Sequence, residues 1–570
     1  MILDIIQALY CTSATLLYRV INTYTQANYF CVTLLIININ GLKGFSMFSN
    51  KRSLLALSVA SAIALSGCGS DNDGNTVTPP VVTPPVVVAP EAPAELSSVV
   101  IGNVVDDATL DVVTATISFF ESGMPATNLV DVDGTAFSSV ETDDGSFTFQ
   151  LKEGATVSEV TAVVTADTYL TKSYIIDLSD LTESDVEVQL PLVAEVSEGV
   201  AVEKAEKSVS GGSSADALEV ETKSGKAAAS VTIPSGTTLQ DADGNAIQGD
   251  SVKFSLVAAD SNSTAAAAIT PEGLNASNTT NVLTPVGVTS VEMVDSNGVK
   301  IKKFSQPITI QMAIPEDKGY TTGDQLALVS QDEDTGVWTE ESQKVTVGDL
   351  VAADNYYNAS FETDHLTFFS AVESNTACNA PLRVLVAGSA VPAGGLFVNL
   401  KSSDYAVKGR LKANASDAVL LSTEKVAQKG IVAGATAKVN VTDANGNVWY
   451  SSDNEVNVCG DVNVTLENPV SYVDQSLSLV AQCSNDDAQT TVASGALVKY
   501  SLTGKAKKVA SGSQGVYALN SLVDGETYAV TVTYKGTLAS IGTKTYSIAA
   551  DGTDKSQTET IECSTTTGGN

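Results

Sequence analysis

The sequence predicts an all-β protein made of tandem β-sandwich domains on a proline-rich tether. Its composition is rich in Val, Thr, Ser, Ala, Asp and Gly, which favours strands joined by many turns. From residue 96 onward, short runs of alternating apolar residues are separated by Asp-Gly and Asn-Gly turns, the pattern of β-hairpins. The 570 residues exceed one domain, and 43% hydrophobic residues suffice for several cores.

The charge balance restricts the partners that the surface attracts. Acidic residues number 66 against 31 basic ones, for a formal net charge of -35. Nucleic-acid phosphates require a face rich in Lys and Arg, so we expect no nucleic-acid partner. Anionic lipid headgroups are also repelled, and any membrane contact must therefore come from another feature of the chain. We interpret the acidic residues as a solvated surface.

An export signal begins at Met47, where the chain reads MFSNKRSLLALSVASAIALSGC. Two basic residues precede an apolar run, 54–65, that is too short to span a bilayer, which is typical of a cleavable signal peptide. The run ends in Leu65-Ser66-Gly67-Cys68, which resembles the lipobox of bacterial lipoproteins at every position. The resemblance implies that residues 47–67 are removed and that acyl chains on Cys68 anchor the protein to a lipid bilayer.

The residues on either side of the signal peptide predict the location of the protein and the segments that flank its lipid site. Gly69 rather than Asp follows the lipid site, which by resemblance to known sorting signals implies an outer-membrane lipoprotein, at the periplasmic face or the cell surface. We interpret residues 1–46 as an extension from a start codon chosen too far upstream; a membrane-inserting extension is the alternative, because 32–39 is mostly apolar. Residues 68–95 contain repeated proline pairs and are predicted to form an extended, lipid-anchored linker.

Residues 96–195 are predicted to form the first β-sandwich. The run ATISFF is followed by ETDDGSFTFQL, in which the turn Asp144-Gly145 precedes Phe147 and Phe149 on one face of a strand. The runs TAVVTADTYLTKSYIIDL and VEVQLPLV come next. This order resembles the carboxypeptidase regulatory-like, or prealbumin-like, β-sandwich. In that family the module is a structural or adhesive accessory and not the enzyme, so the resemblance implies the same role here.

Residues 196–375 form a longer β unit, in which Ala265–Ala268 is predicted to be a loop inserted between strands. Near its end, TDHLTFF follows a tryptophan-bearing strand, DEDTGVW. These segments resemble the autoproteolysis site of GAIN domains, although the paired cysteines of that family are absent here. The resemblance implies a GAIN-like β domain in which His365 takes the proton of the Thr367 hydroxyl and Thr367 attacks the Leu366 carbonyl.

Residues 376–470 and 471–570 are predicted to be two copies of one disulfide-stapled β-sandwich, of the immunoglobulin-like or prealbumin-like kind. Cys378 and Cys459 are 81 residues apart (459 minus 378), and Cys483 and Cys563 are 80 apart (563 minus 483). Matching text, IVAGATAKVNVTDANGN and LVDGETYAVTVTYKGTL, precedes the second cysteine of each pair. Four cysteines allow three connectivities, and the equal spacing favours Cys378–Cys459 with Cys483–Cys563.

Motifs for metals and cofactors are weak. Acidic turns begin at Asp131, Asp241 and Asp443, but none has the Glu that an EF-hand requires at its twelfth position. We interpret them as hairpin turns, with calcium at a sandwich rim as the alternative. The chain has one histidine, which excludes an HExxH zinc site, and it lacks GxSxG and Gly-Lys-Ser/Thr motifs. We predict no cofactor and no metal.

The sequence therefore favours a cell-envelope lipoprotein of the structural or adhesion type, which presents its β-domains to a protein or glycan partner and is not an enzyme. One alternative is a self-cleaving surface protein that is cut between Leu366 and Thr367. The other is a carbohydrate-capture lipoprotein, for which Trp449 and Tyr450 are the candidate ligand residues, although packing in a core or rim is the favoured role of this pair.

Overall fold

The computed structural model describes residues 85–181 and 184–566, and within them strands form almost all of the regular structure. The upstream extension, the signal peptide, Cys68 and the linker up to residue 84 lie outside the described residues. In the part of the chain that the structure describes, no helix is long and apolar enough to cross a membrane. The first strand, β1 (Val86–Val88), precedes the domains.

The first domain (96–195) is a sandwich of two sheets, with strand orders β10-β2-β7-β5 and β4-β3-β8-β9, where β6 adds to β3. Phe147 and Phe149 are both buried in its core, 6.2 Å apart and nearly parallel. Gly102 pairs with Phe147 across the strands, and a Cβ at Gly102 would lie 1.9 Å from the Phe147 ring, so only glycine fits there. The strands are β2 (Val100–Asp106), β3 (Ala115–Glu121), β4 (Met124–Pro125), β5 (Leu129–Val130), β6 (Ser139–Thr142), β7 (Ser146–Leu151), β8 (Glu159–Thr165), β9 (Lys172–Asp177) and β10 (Val186–Leu192).

The predicted second domain (196–375) contains one continuous antiparallel sheet around its main core, in the order β11-β15-β16-β21-β18-β19-β20-β17-β13-β12, with β14 on β17. The prediction of a loop at Ala265–Ala268 is wrong. These alanines form a buried helix, Thr264–Ile269, because Ala has the highest helix propensity and its small side chain packs closely. A 3-10 turn covers Glu316–Lys318. The strands are β11 (Val200–Ser208), β12 (Leu218–Ser224), β13 (Ala227–Ile233), β14 (Leu239–Gln240), β15 (Ser251–Ala259), β16 (Asn281–Asp295), β17 (Lys303–Pro315), β18 (Gln325–Asp332), β19 (Val337–Val351), β20 (Tyr356–His365) and β21 (Phe368–Thr376).

The third domain (376–470) has two sheets, β25-β22-β29 and β24-β23-β26-β27, with β28 on β26. A short helix, Thr423–Gln428, is capped by the Ser422 side chain, which accepts from the main-chain N–H of Lys425. The strands are β22 (Leu382–Gly388), β23 (Leu396–Lys401), β24 (Ala406–Leu411), β25 (Asp417–Leu421), β26 (Thr436–Thr442), β27 (Val448–Ser451), β28 (Val456–Asn457) and β29 (Asp461–Leu466).

The fourth domain (471–570, described to 566) has the sheets β31-β30-β35-β34, with β38 on β30, and β33-β32-β36-β37. A 3-10 helix covers Gly536–Ile541. The strands are β30 (Tyr472–Cys483), β31 (Asp486–Val492), β32 (Leu497–Ser501), β33 (Lys508–Val509), β34 (Gly512–Ser513), β35 (Val516–Val523), β36 (Thr527–Thr533), β37 (Thr543–Ala549), β38 (Lys555–Ile561) and β39 (Ser564–Thr566).

The first, third and fourth domains share one topology. In each, the first strand pairs in parallel with the last long strand: β2 with β10, β22 with β29, and β30 with β38. The same first strand also pairs antiparallel with a middle strand: β7, β25 and β35, respectively. The similarity that the sequence shows between the last two domains therefore extends to the first one, where no cysteine spacing marks it.

Two disulfides join the ends of the repeated domains. Cys378 is bonded to Cys459, and Cys483 to Cys563, which is the pairing that the spacing favours. Cys378 and Cys459 each lie shortly before a strand of the parallel pair β22 and β29, whereas Cys483 ends β30 and Cys563 follows β38, so each bond closes one end of a parallel strand pair.

The final part of the predicted linker is not a free tether. β1 pairs antiparallel with β39 at the opposite end of the described chain, and Val87 packs against the core of the fourth domain. The Thr537 hydroxyl donates to the Glu91 carbonyl at 2.6 Å. A run of valines after a proline pair supplies a short strand, and the exposed edge of the fourth domain offers it a partner.

Candidate functional site at the domain junctions

The first domain is in contact with the other three, and several of its acidic side chains form ion pairs with the third and fourth domains. Six of its carboxylates each pair with a Lys or Arg of the third or fourth domain. The attraction between paired charges that are partly shielded from water is stronger than that of isolated surface pairs. A network of such pairs fixes the relative orientation of the domains. The pairs are Asp107–Lys401, Glu187–Arg410 and Asp177–Lys425 with the third domain, and Asp111–Lys505, Asp144–Lys507 and Asp133–Lys535 with the fourth.

Three domains meet around the buried side chain of Lys172, which lies in β9 of the first domain. Its ammonium donates to the carbonyls of Ala268 at 2.5 Å and Ala267 at 3.4 Å, near the end of the short helix in the second domain. Burial lowers the pKa of Lys172 to about 8, although the nearby Glu272 opposes that shift. Glu272 accepts from Lys429 of the third domain at 2.7 Å and from the main-chain N–H of Ile175 at 3.1 Å.

The third domain presents a polar sheet face to this junction. Lys408 of β24 is aligned with Asn399 of β23, and Asn399 is aligned with Asn440 of β26, so the three residues form one row across the sheet. In the next row along β24, Arg410 pairs with Glu187 and packs over the ring of Phe397. Cationic and amide side chains therefore cover the face that meets the first domain.

Lys408 differs from the other cations because its Nζ has no hydrogen-bond partner in the structure, although it is closed off from solvent. Burial lowers the pKa of Lys408 to about 7, and the positive charges of Lys172 and Lys401 contribute to that lowering, while Asp107 opposes it. The Nζ lies 5.9 Å from the centre of the Tyr174 ring. Asn440 carries a second unpaired group, since its buried Oδ1 also has no partner.

A cavity of about 130 Å³ separates this sheet face from the first domain. Three lysines and three side-chain amides contribute to its walls, together with one carboxylate, Asp107, that is already bound to Lys401. The lining residues are Asp107, Ala108, Leu110, Gln189, Pro191, Asn399, Lys401, Lys408, Lys438 and Asn440. The cavity is thus a cationic, donor-rich space in a chain of strongly negative charge.

A second polar cavity, of about 250 Å³, lies between residues 166–171 of the first domain and the strands of the second. Glu333 lines it and accepts from the Ser290 hydroxyl at 2.6 Å. Burial raises the pKa of Glu333, and the neighbouring carboxylate of Glu292 raises it further. The charged form of Glu333 is therefore disfavoured near neutral pH.

The predicted cleavage segment lies at the bend between β20 and β21. β20 ends at His365 and β21 begins at Phe368, so Leu366 and Thr367 connect them, both buried. The Thr367 hydroxyl donates to the Gln331 carbonyl. The His365 imidazole contacts other groups: Thr363 Oγ1 at 3.1 Å, Asp364 at 3.3 Å and Glu341 at 3.3 Å. In this geometry the hydroxyl of Thr367 is committed to a carbonyl rather than to the imidazole.

Trp449 and Tyr450, the predicted glycan-binding pair, lie in and beside a core. Trp449 is 3% exposed, stacks on Tyr472 and donates from its indole N–H to the Tyr472 hydroxyl. Tyr450 is partly buried against the same cluster. Neither side chain forms an open aromatic platform for a sugar ring.

The acidic turns direct their carboxylates to their own main chain. Asp443 Oδ1 accepts from the main-chain N–H groups of Asn445 and Asn447, and its Oδ2 accepts from the Tyr472 hydroxyl. Asp131 likewise accepts from the two residues of its own turn at 133 and 135. Across residues 85–181 and 184–566, no group of three or more His, Cys, Asp or Glu side chains is arranged to hold a metal ion.

The junction residues were not predicted as site residues. One signal was present in the sequence: Lys408 and Arg410 occupy alternate positions of a single strand, AVKGRL, so both must lie on the same face. A solvated strand face has the same pattern, and only the packing of the first domain against it shows that these cations are enclosed.

Comparisons with known proteins add little to this description. No protein-family model matches the chain, and no curated protein matches it. Among solved structures, BcpA, the major pilin subunit of Bacillus cereus, is 12% identical and is matched over 82% of this chain and 99% of that chain, with a TM-score of 0.13. The full-length major pilin SpaD from Corynebacterium diphtheriae is 10% identical, over 82% and 97%, with a TM-score of 0.13. At these TM-scores the matches say nothing about the function of this chain.

Proposed function

We propose that the protein is a lipid-anchored structural or adhesion protein of the bacterial cell envelope, which presents its β-domains to a protein or glycan partner. The signal peptide and lipobox in the sequence support the anchor at Cys68. The packing of the described domains supports a presenting body, because charged pairs and directional bonds hold the domains together instead of leaving them on free linkers.

The observation that carries the proposal is the return of residues 86–95 onto the fourth domain. The described chain begins where β1 pairs with β39, so its first described residues are bound to the fourth domain. No hydrogen bond, ion pair or strand pair among the residues that the structure describes joins the second domain to the fourth. The proposed lipid anchor is thus upstream of a segment that is bound to the fourth domain, and the second domain is not bonded directly to that domain.

The test combines the anchor with the direction of presentation. A protease site inserted at 321–324, a turn of the second domain with exposed residues, should be cut on intact cells. In the same background, Cys68→Ser should leave an unlipidated precursor that is not retained in the membrane fraction. Membrane retention of Cys68→Ser, or cutting at 321–324 only after cells are opened, would contradict the anchor or the surface presentation, respectively.

A self-cleaving surface protein is a weaker second candidate: one observation favours it, although the hydrogen bond from the Thr367 hydroxyl to the Gln331 carbonyl opposes it. Leu366 and Thr367 lie outside both strands, at a bend. A scissile peptide at a bend is more easily distorted than one within a paired strand.

A further inference from the structure

The hairpin that joins β18 to β19 in the second domain packs directly on the first domain. The side chain of Gln331, near the end of β18, accepts a hydrogen bond from the Ser173 hydroxyl of β9 at 3.0 Å. A Cβ on Gly336 would lie 2.6 Å from the side-chain methyl of Thr161, so the turn of the hairpin lies against β8. The position of this turn is therefore part of the junction between the two domains.

Glu333 belongs to this turn and lines the cavity of about 250 Å³ between the two domains. Among the residues that the structure describes, its carboxyl group has one hydrogen-bond donor, the Ser290 hydroxyl at 2.6 Å. The main-chain bonds of the turn use another residue, since the N–H groups of Asp334 and Gly336 bond to Asp332 at 2.9 and 2.7 Å. The turn can therefore form without the Glu333 carboxyl group, whose surroundings are those of the cavity.

The charges around Glu333 are mostly negative. The nearby ammonium groups are already paired: Lys204 with Glu195 at 2.7 Å, and Lys302 with Asp334 at 2.8 Å. Burial raises the pKa of Glu333 and the charge of Glu292 raises it further, while the Ser290 hydroxyl and Lys302 oppose the rise. The charged groups that face Glu333 are Glu292 from β16, Lys302 from the segment before β17, Asp334 from its own turn, and Asp167, Glu195 and Lys204 from the cavity wall.

Ionisation of Glu333 in the docked hairpin would place a second negative charge near Glu292, in a space that is partly shielded from water. That charge is costly unless the carboxylate becomes hydrated. Movement of the turn away from the first domain would hydrate it, so the loss of the proton favours the undocked turn. The sign is opposite to that of Asp144 at the junction between the first and fourth domains, where the charged form is the stabilising one.

We propose that Glu333 is a pH-sensitive latch between the first and second domains, whose neutral carboxyl group keeps the β18–β19 hairpin docked and whose ionised form releases it as the pH rises. The latch regulates one contact of the second domain and does not depend on the lipid anchor or on an adhesion partner. Mildly acidic surroundings would hold the two domains together, and alkaline surroundings would loosen them.

The experiment measures how easily acrylamide quenches the fluorescence of Trp338 in the full mature protein. Trp338 lies on the same hairpin, is partly buried, and donates its indole N–H to the Glu272 carbonyl at 3.0 Å. The chain has one other tryptophan, Trp449, which is enclosed in the core of the third domain. Raising the pH from about 6 to about 9 should increase the quenching constant of Trp338 about twofold as the undocked population grows. Trp338→Phe should remove the pH-dependent part of the signal.

A neutral substitution and a matched control locate the effect. Glu333→Gln cannot ionise and should show the same weak quenching at both pH values, with an unfolding midpoint at about pH 6 equal to that of the wild type, which shows that the variant is folded. Glu340→Gln removes an exposed carboxylate farther along β19 and should keep the full pH response. Quenching of the wild type that does not change with pH would overturn the proposal. So would a pH response in Glu333→Gln as large as that of the wild type, which would assign the effect to Lys172.

Discussion

The side-chain amide of Asn103 forms two hydrogen bonds with the main chain of Lys507, in the pattern that a neighbouring β-strand would form. Its Nδ2 donates to the Lys507 carbonyl at 2.9 Å, and its Oδ1 accepts from the Lys507 N–H at 2.8 Å, across a separation of 404 positions. Asn103 is 3% exposed, so water does not compete for these bonds. The first and fourth domains are therefore joined in one defined register, to which the ion pairs of Lys505 and Lys507 add charge attraction.

Asn103→Leu should loosen this junction. The substitution leaves the N–H and carbonyl of Lys507 buried without partners, which costs about 1–3 kcal/mol in the free energy of unfolding. Hydrogen exchange at the amide of Lys507 should accelerate in the same variant. Asn297→Ala, at an exposed turn of the second domain, serves as the control and should change neither quantity. Unchanged exchange at Lys507 in Asn103→Leu would show that the two domains are held by other contacts.

Acid should weaken the junction between the first and fourth domains. Burial raises the pKa of Asp144, but the hydrogen bonds from Lys507 and Ser146 outweigh it, so the folded-state pKa lies below the ordinary value. A carboxyl whose pKa is lowered by folding stabilises the protein above its unfolded pKa of about 4 and loses that contribution as the pH falls further. Denaturant unfolding between pH 6 and 2 should therefore show declining stability.

Asp144→Asn tests the contribution of this one pair. Because the carboxylate is half exposed, the variant should lose less than about 1 kcal/mol at pH 6, and its stability should fall less steeply with acid than that of the wild type. An identical acid profile in wild type and Asp144→Asn would mean that the pair does not contribute to the junction.

Local patterns predict the domains and their disulfides, whereas contacts between distant segments are not evident in them. The turn at Asp144-Gly145 and the alternation of Phe147 and Phe149 depend on neighbours in the chain, and the cysteine spacing marks a repeat directly. The pairing of β1 with β39 has no local signal, because its partners lie about as far apart as the described chain allows: Thr566 donates to Val86 across 480 positions.

The candidate site was missed for a related reason. Lys408 in AVKGRL has the same pattern as a lysine on a solvated strand, and its enclosure depends on Pro191 and Gln189 of another domain. The helix at Thr264–Ile269 was missed because a run of four alanines is too short to have a detectable helical period. The helix is buried between the second and third domains, where the Ala268 carbonyl accepts a hydrogen bond from Lys172. This burial favours a helix over a loop.

Lys408→Met should stabilise the protein at neutral pH. Burial lowers the pKa of Lys408 to about 7, so the unfolded state, with a lysine pKa of about 10.4, binds more protons between these values. The free energy of unfolding of the wild type should therefore rise between about pH 7 and about pH 10.4. The energetic cost of burying the charged ammonium is greatest below about pH 7. Replacement by an apolar side chain of similar length should add about 1–4 kcal/mol at pH 6.5 and less at pH 10.

The matched control is Lys412→Met, which should leave unfolding unchanged at both pH values because Lys412 is exposed. A loss of stability in Lys408→Met at pH 6.5 would indicate that the ammonium already has a strong partner.

The two disulfides should stabilise their own domains independently. Closing loops with sequence separations of 81 and 80 limits the unfolded chain, and each bond should contribute about 4 kcal/mol by loop closure. Cys459→Ser with Cys378→Ser should lower the midpoint of the third domain while hydrogen exchange in the fourth remains slow. Peptide mapping without reduction should recover Cys378 with Cys459 and Cys483 with Cys563; a peptide that joins Cys459 to Cys483 would contradict the domain assignment.

The mature chain should stay whole at Leu366–Thr367. Nucleophilic attack requires that a base take the Thr367 proton, but this hydroxyl donates to the Gln331 carbonyl, and the His365 ring is occupied by Thr363, Asp364 and Glu341. A denaturing gel of the purified protein should show one band of the mature mass, and Thr367→Val should lower stability by about 1 kcal/mol by leaving that carbonyl unpaired. Two fragments from wild type, with an intact chain in Thr367→Val and in His365→Ala, would instead establish self-cleavage and require that the bend rearrange to bring the hydroxyl to the imidazole.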